Sequence, residues 1–123
     1  MDLQSIISEV KTLARETGRF IAEQRKNFDS SRVESKQSHD YVSYVDKECE
    51  RMIVSRLKEI LPQAGFITEE KTIAQDDGNK ELYWIVDPLD GTTNFIHDLA
   101  PYSVSIALRD SKDLLLGVVY EVT

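Results

Sequence analysis

The hydrophobic period of the sequence changes from helical to strand-like about halfway along the chain. In residues 2–28, apolar side chains recur every three or four positions, which predicts an amphipathic helix. A second stripe of the same kind predicts a helix that begins near Ser43 and ends at Pro62 and Gly65. Beyond Gly65, apolar residues fall into short runs rich in β-branched and aromatic side chains, as in strands.

The polar segments between these runs predict how the elements are connected. Residues 29–43 are expected to form an irregular link, with a short extended piece at residues 33–35. Residues 71–80 are expected to form a surface loop, and Pro88 is expected to end the strand that precedes it. The four predicted strands are residues 65–68, 82–86, 102–108 and 114–122.

This order of elements predicts the fold class. Two helices followed by strands favour an α+β domain, with two N-terminal helices packed on a mainly antiparallel sheet, over an alternating βαβ arrangement. The chain of 123 residues carries 15 Lys and Arg against 22 Asp and Glu, and this acidic balance argues against nucleic acid as the main ligand. Its single cysteine excludes an internal disulfide framework. Without a membrane-length apolar run or a signal-peptide pattern, we expect a cytoplasmic protein with no membrane partner.

The segment from Trp84 to Phe95 carries the clearest chemical signal. Asp87 and Asp90 lie three positions apart across a proline, directly after a predicted strand, so both carboxylates can reach the same point. Two convergent carboxylates repel unless a cation or proton neutralises them. Hard oxygen ligands select Mg²⁺, Mn²⁺ or Ca²⁺, and the Leu89 carbonyl is a further oxygen between the two acids.

Neighbouring residues could complete a phosphate site. Gly91 allows close approach to an anion, and the Thr92 hydroxyl could orient a water if residues 92–97 open a short helix. The acidic pair Glu69–Glu70 follows another predicted strand and is interpreted either as a metal-bridging carboxylate or as a solvated loop. Asp46, placed at the start of the second predicted helix, either interacts with the helix dipole or binds a further metal.

The string Asp-Pro-Leu-Asp-Gly-Thr-Thr-Asn-Phe at residues 87–95, with Glu69–Glu70 upstream, resembles the inositol monophosphatase family of metal-dependent, lithium-sensitive phosphatases. Lys36 and the spacing from Asp40 to Asp46 are similar to the family's segment ahead of its second helix, and residues 117–120 resemble the strand after the metal loop. The resemblance implies that residues 1–123 form the N-terminal, metal-binding lobe of the layered sugar-phosphatase fold.

The resemblance also implies roles for individual residues. Mg²⁺, in two or three sites and replaceable by Mn²⁺, would be held by carboxylates and one carbonyl, with Li⁺ as inhibitor. Thr92 and Glu69 would activate the attacking water, while the main-chain N–H groups of Gly91 and Thr92 would bind phosphate. Lys36 and Glu70 would support the site. The implied metal ligands are Glu69, Asp87, the Leu89 carbonyl, Asp90 and, through a further ion, Asp46.

The implied activity is Mg²⁺-dependent hydrolysis of a phosphate monoester, inositol monophosphate first of all, by a homodimer. Family members also have a Trp-Asp motif in their second half, whereas the only tryptophan here is Trp84, which is followed by isoleucine. The C-terminal substrate lobe is therefore expected to be absent. Two alternatives stay open: a truncated, non-catalytic module for binding or oligomerisation, and a related phosphatase acting on fructose 1,6-bisphosphate, NADP or nucleotide 3′-phosphates.

Overall fold

The structure, a computed structural model, describes residues 1–28, 35–69 and 80–123, with the description of residues 35–39 confined to the backbone. Two long helices come first and the strands follow, as the change of period predicts. The elements are α1 (Leu3–Asn27), α2 (Ser35–Ile60), β1 (Gly65–Thr68), β2 (Tyr83–Asp90), α3 (Thr92–His97), β3 (Ser103–Arg109) and β4 (Leu114–Glu121).

Helix α1 begins at a side-chain cap and buries one apolar face. The carboxylate of Asp2 accepts hydrogen bonds from the N–H groups of Gln4 and Ser5 at 3.1 and 3.3 Å, satisfying donors that the helix itself leaves free. Arg25 and Lys26 occupy the last turn, where positive charge interacts favourably with the helix dipole. The apolar stripe predicted from the sequence is buried at Ile6, Val10, Leu13, Ala14 and Ile21.

Helix α2 begins eight positions earlier than the sequence predicts. The expected irregular link is wrong for residues 35–43, which are already helical, so Ser43 lies inside α2 and does not begin it. This polar stretch contains no glycine or proline, and Val42 and Tyr41 extend the apolar stripe of the helix upstream. The Tyr41 hydroxyl also donates to Gln24 Oε1 of α1 at 2.6 Å. Residues 29–34 and 70–79, on which the extended piece and most of the predicted loop fall, lie outside the described residues.

The four strands form one mixed sheet in the order β1-β2-β3-β4. β2, β3 and β4 pair antiparallel, as predicted, whereas β1 runs parallel to β2. The predicted mainly antiparallel sheet is therefore confirmed, with β1 and β2 as its one parallel pair among the described strands. Parallel pairing needs a connection of about a dozen residues or more. Fourteen positions separate Thr68 from Tyr83 in the sequence.

Pro88 does not end β2, contrary to the prediction, since the strand continues to Asp90. Asp87 pairs with Ser105, and Asp90 pairs with Ser103, so β2 carries one extra residue opposite β3. Such a bulge leaves a residue outside the regular ladder, which is where a strand tolerates a proline without a backbone N–H. Asp87 and Asp90 therefore lie on either side of the bulge, and both belong to β2.

Both long helices pack on the same face of the sheet. α1 lies against β3 and β4, and α2 lies against β2, enclosing the core between the layers. Ile67 and Ile85, which are register partners, lie on the opposite face and are exposed. In the described parts of the chain, no helix has both the length and the hydropathy that crossing a bilayer requires. The largest fully buried side chains are those of Trp84, Phe95, Ile21, Ile53, Leu57, Ile106 and Leu108.

Candidate functional site

Parallel pairing brings the acidic residues of two strands to the same edge of the sheet. The carboxyl ends of β1 and β2 point the same way, so Glu69, directly after β1, lies beside the end of β2. The Glu69 N–H donates to the Val86 carbonyl at 3.2 Å, one residue before Asp87. The third acid, Asp90, follows at the far side of the bulge.

Asp87 is the acid whose environment most disfavours its charge. Partial burial raises the pKa of Asp87, and the negative charges of Asp90 and Glu69 raise it further. A hydrogen bond from the Leu89 N–H opposes part of this rise in pKa. Asp90 and Glu69 are exposed, so the three carboxylates interact at a place open to solvent. This is the electrostatic condition that a bound cation would relieve.

The donor set is suited to a hard divalent cation. Carboxylate oxygens without nitrogen or sulfur partners are the ligands that Mg²⁺ prefers. Within residues 1–28, 35–69 and 80–123, however, no three side chains of His, Cys, Asp or Glu are grouped closely enough to form a ready-made metal site. The charges of Asp90 and Glu69 disfavour ionisation of Asp87, but the three side chains do not form a closed cage.

The turn after the acids is fixed by a glycine. Gly91 caps α3 in the left-handed region, with φ 93° and ψ 44°, a conformation that glycine adopts without steric cost. Its carbonyl accepts the Phe95 N–H at 2.9 Å, which starts the short helix predicted for residues 92–97. Thr92 is the first residue of α3 and is half-buried. Thr92 therefore lies two positions after Asp90, the acidic residue that ends β2.

The remaining predicted site residues are distributed as follows. Asp46 is buried on α2, inside the helix and not in its first turn, and it lies close enough to Cys49 to raise the pKa of that thiol. Its charge is not among those that shift the pKa of Asp87 within the described residues. The side chain of Leu89 is buried in the core. Lys36 belongs to α2 by its backbone, and Glu70 lies outside the described residues.

Sequence reasoning missed a group that holds α3 from the side. Arg25 at the end of α1 forms an ion pair with Asp98, which caps α3, with Arg25 Nε 3.5 Å from Asp98 Oδ1. Phe28 stacks on Phe95 with ring centroids 6.1 Å apart, and Phe95 meets Tyr102 edge-on at 5.6 Å. No local pattern could have found this group, because its members come from α1, α3 and the start of β3.

Fold and site together define a two-layer α+β domain whose sheet ends in an acidic turn capped by a short helix. A family model described as the inositol monophosphatase family matches residues 2–123. The chain belongs to the inositol monophosphatase family. This confirms the family resemblance and the fold class predicted from the sequence.

Curated proteins and solved structures agree with this assignment. The chain is 40% identical over 108 residues to the Nus factor SuhB of Vibrio cholerae, covering 88% of this chain and 40% of that protein. It is 46% identical over 97 residues to inositol monophosphatase 2 of Solanum lycopersicum, covering 76% of this chain and 36% of the relative. The crystal structure of inositol monophosphatase II from Staphylococcus aureus matches with a TM-score of 0.78 at 28% identity, over 96% of this chain and 43% of that one.

The chain spans less than half the length of these relatives. Two further structures, of SaIMPase-II with inositol monophosphate bound and with 2′AMP bound, each match with a TM-score of 0.75, at 26% and 27% identity. Both ligands are bound by SaIMPase-II.

Proposed function

We propose that this chain forms the metal-binding part of an enzyme that hydrolyses phosphate monoesters with Mg²⁺, inositol monophosphate being the first candidate substrate. The observation that carries the proposal is the position of Asp87 before α3, where burial and the nearby charges of Asp90 and Glu69 raise its pKa. Acids that repel one another are costly unless a cation offsets them, and the turn that follows leads into a helix with free N–H groups.

The proposed ligands of the cation are those implied by the family resemblance. Glu69, Asp87, the Leu89 carbonyl and Asp90 would hold Mg²⁺, and Asp46 would hold a further ion. When bound, Mg²⁺ supplies charge neutralisation and activation of water, and Mn²⁺ is expected to replace it and Li⁺ to inhibit. The support from this chain is the donor chemistry and the raised pKa of Asp87.

The other residues of the turn handle water and phosphate. The Thr92 hydroxyl would orient the attacking water, and the Glu69 carboxylate would help to orient it and would accept its proton. The main-chain N–H groups of Gly91 and Thr92 would donate to phosphate oxygens, and no side chain at position 91 obstructs this approach. Lys36 and Glu70 would adjust the charge around the site.

The substrate is proposed from the ligands of related structures. A structure matching this chain holds inositol monophosphate, and another holds 2′AMP. Both ligands are phosphate monoesters, so the reaction class is better supported than the choice of alcohol. Fructose 1,6-bisphosphate, NADP and nucleotide 3′-phosphates stay as alternatives within the same chemistry.

Phosphate release from myo-inositol 1-phosphate, measured with and without Mg²⁺, tests the proposal. We expect Mg²⁺-dependent turnover that disappears in Asp90→Asn, because this change removes one of the repelling charges and one proposed ligand. The matched control is Asp113→Asn, in the exposed turn between β3 and β4, which should retain activity. Full activity in Asp90→Asn would contradict the mechanism.

A second candidate function is non-catalytic binding of a partner protein. It is favoured by the 40% identity over 108 residues to a relative named a Nus factor. Calorimetric titration with Mg²⁺ and then inositol monophosphate separates the two functions. Heat of Mg²⁺ binding followed by turnover supports the enzyme, whereas binding without turnover at any Mg²⁺ concentration supports the module.

The expected assembly and compartment belong to the same proposal. A homodimer located in the cytoplasm is the state we propose for the active protein. Light scattering after size-exclusion chromatography measures the mass of the assembly, and a mass of one chain at all concentrations would contradict the dimer. The location of a tagged chain in cells tests the compartment.

A further inference from the structure

The residue that ends α3 is held in an unusual backbone conformation. Asp98 has φ 54° and ψ 43°, and it is the only residue other than glycine with a positive φ in the described part of the chain. Its N–H bonds to the carbonyls of Asn94 and Phe95, and the Leu99 N–H bonds to the Asn94 carbonyl at 2.8 Å. These are the hydrogen bonds of a helix end that normally uses glycine, because a side chain in this region meets its own backbone.

A cation from another element faces this strained position. Arg25 Nε lies 3.5 Å from Asp98 Oδ1, and the Tyr102 hydroxyl donates to the same oxygen at 3.4 Å. Arg25 is itself fixed, since its Nη1 donates to the Phe28 carbonyl at 2.6 Å and its guanidinium lies 5.4 Å from the centre of the Phe28 ring. Its side chain is 15% exposed, whereas that of Asp98 is 61% exposed, so burial restrains the Arg25 side of the pair.

The same end of α1 contacts α3 a second time through its aromatic ring. Phe28 stacks on Phe95, which is fully buried and also contacts Tyr102. Phe95 belongs to the middle of α3, and Asp98 to its end, so the end of α1 fixes the short helix at two points. A helix of six residues has few hydrogen bonds of its own and depends on such contacts for its orientation.

We propose that Arg25 is a positioning residue for the site: by pairing with Asp98 it keeps the end of α3 in the left-handed conformation, and so keeps Thr92 at the other end in place. This inference rests on the proposed function for the role of Thr92. The ion pair itself connects α1 to α3 and stands on geometry alone. In the described part of the chain, the ion pair and hydrogen bond formed by Arg25 go to Asp98 and Phe28, so its effect on Thr92 passes through α3.

Glycine at position 98 provides a decisive control. If Arg25 acts by holding Asp98 in a left-handed conformation, Asp98→Gly removes the need for it, because glycine adopts this conformation freely. Asp98→Ala removes the same carboxylate but keeps the steric cost. Arg25→Lys keeps the charge, and Arg56→Gln, in an exposed pair with Glu9 far from α3 in sequence, is the matched surface control.

Amide hydrogen exchange measured by NMR on the full chain gives the structural test. We expect Arg25→Gln and Asp98→Ala to speed exchange at the Leu99 N–H by about tenfold, as for local opening of a helix end. Arg25→Lys, Asp98→Gly and Arg56→Gln should leave it near the wild-type rate, and Arg25→Gln should have no effect in the Asp98→Gly background. Equal exchange in Arg25→Gln and wild type would overturn the proposal, as would an equal effect in both backgrounds.

Kinetics extends the test to the site. In an active preparation, Arg25→Gln should lower kcat by about tenfold and change KM by less than about twofold, because a misplaced hydroxyl affects the reacting geometry more than binding. Asp98→Gly in the same chain should restore kcat, and urea denaturation of the same variants should show that kcat does not follow their free energies of unfolding. No turnover in the wild type would contradict the proposed function, and hydrogen exchange would still decide the role of Arg25.

Discussion

Gly18 of α1 lies directly against the ring of Tyr120 of β4. A Cβ atom added to Gly18 would lie 2.4 Å from Tyr120 Cε2 and 2.6 Å from Cδ2, well inside contact distance. The missing side chain is therefore what allows the first helix to approach the last strand. Gly18 is buried, and the Tyr120 ring fills the space next to it.

Gly18→Ala should destabilise the protein despite alanine's better helix propensity. Overpacking costs typically about 1–3 kcal/mol, whereas alanine gains about 1 kcal/mol over glycine in a helix. Urea denaturation should give a lower free energy of unfolding for Gly18→Ala. Gly117→Ala is the control, because a Cβ atom added to Gly117 would lie 3.9 Å from its nearest neighbour, Leu114 Cδ2. In a Tyr120→Val background the loss should disappear, and a loss of equal size there would refute the contact.

Asp87 should make the metal-free protein less stable as the pH rises. Its pKa is raised in the folded state by burial and by the charges of Asp90 and Glu69, so the folded chain holds its proton to a higher pH than the unfolded chain does. Stability should therefore fall as the pH rises from about 4 through the folded-state pKa. Asp87→Asn should reduce this fall in urea denaturation measured with a chelator. Identical pH profiles for the two proteins would count against the coupling of these acids.

For Asp110 we expect the opposite pH dependence of stability in the same urea denaturation experiment. Its Oδ1 accepts the N–H groups of Lys112 and Asp113 at 2.8 and 2.7 Å, and these hydrogen bonds lower its pKa in the folded state. Asp110 should stabilise the fold above its unfolded pKa of about 4 and lose this contribution as the pH falls. Asp110→Ala should show a smaller loss of stability on acidification than wild type. A larger loss would contradict the assignment.

Gly91→Ala should disturb the turn between β2 and α3. The left-handed conformation costs a residue with a side chain about 1–2 kcal/mol. The new Cβ would also lie 2.8 Å from the Pro101 carbonyl oxygen. We expect a lower free energy of unfolding and weaker phosphate release. Gly91→Asn is the comparison, because asparagine tolerates this conformation better, and its loss of stability should be smaller than that of alanine.

Cys49 should be unreactive until the protein unfolds. It is fully buried on α2, and burial, with the charges of Asp46 and Glu48, raises the pKa of its thiol. A disulfide reagent at mildly alkaline pH should label the native chain only at the rate of unfolding. In denaturant, labelling should be fast and reach the one thiol that the sequence contains. Fast labelling of the native protein would show that this part of α2 opens.

The sequence predicts the main elements because each has its own hydrophobic period. Helix α1, the strand β1 and the boundaries of β3 and β4 agree with the structure to within one or two residues. The start of α2 was misplaced because polar residues carry little periodic signal, and Tyr41 anchors this part of the helix through a contact with Gln24 of α1. Contacts between distant residues decide such boundaries, and local patterns do not contain them.

The acidic part of the site could be predicted from sequence because its residues are close in sequence. Asp87, Asp90 and Gly91 lie within one turn, and all three belong to the motif that resembles the inositol monophosphatase family. The bulge that carries Pro88 could not be predicted, because it depends on the register between β2 and β3. The ion pair of Arg25 with Asp98 could not be predicted either, because the two residues are distant in sequence and the left-handed backbone of Asp98 is known only from the structure.

The packing of α1 on β3 and β4 has a consequence for the order of folding. The apolar face of α1 is covered by strands that come roughly one hundred positions later in the sequence, so closing this contact requires a large loop entropy loss. During synthesis, α1 leaves the ribosome long before these strands exist. Until they are made, α2 is the one described element that can cover part of its apolar face, and α1 reaches its full packing when the sheet forms.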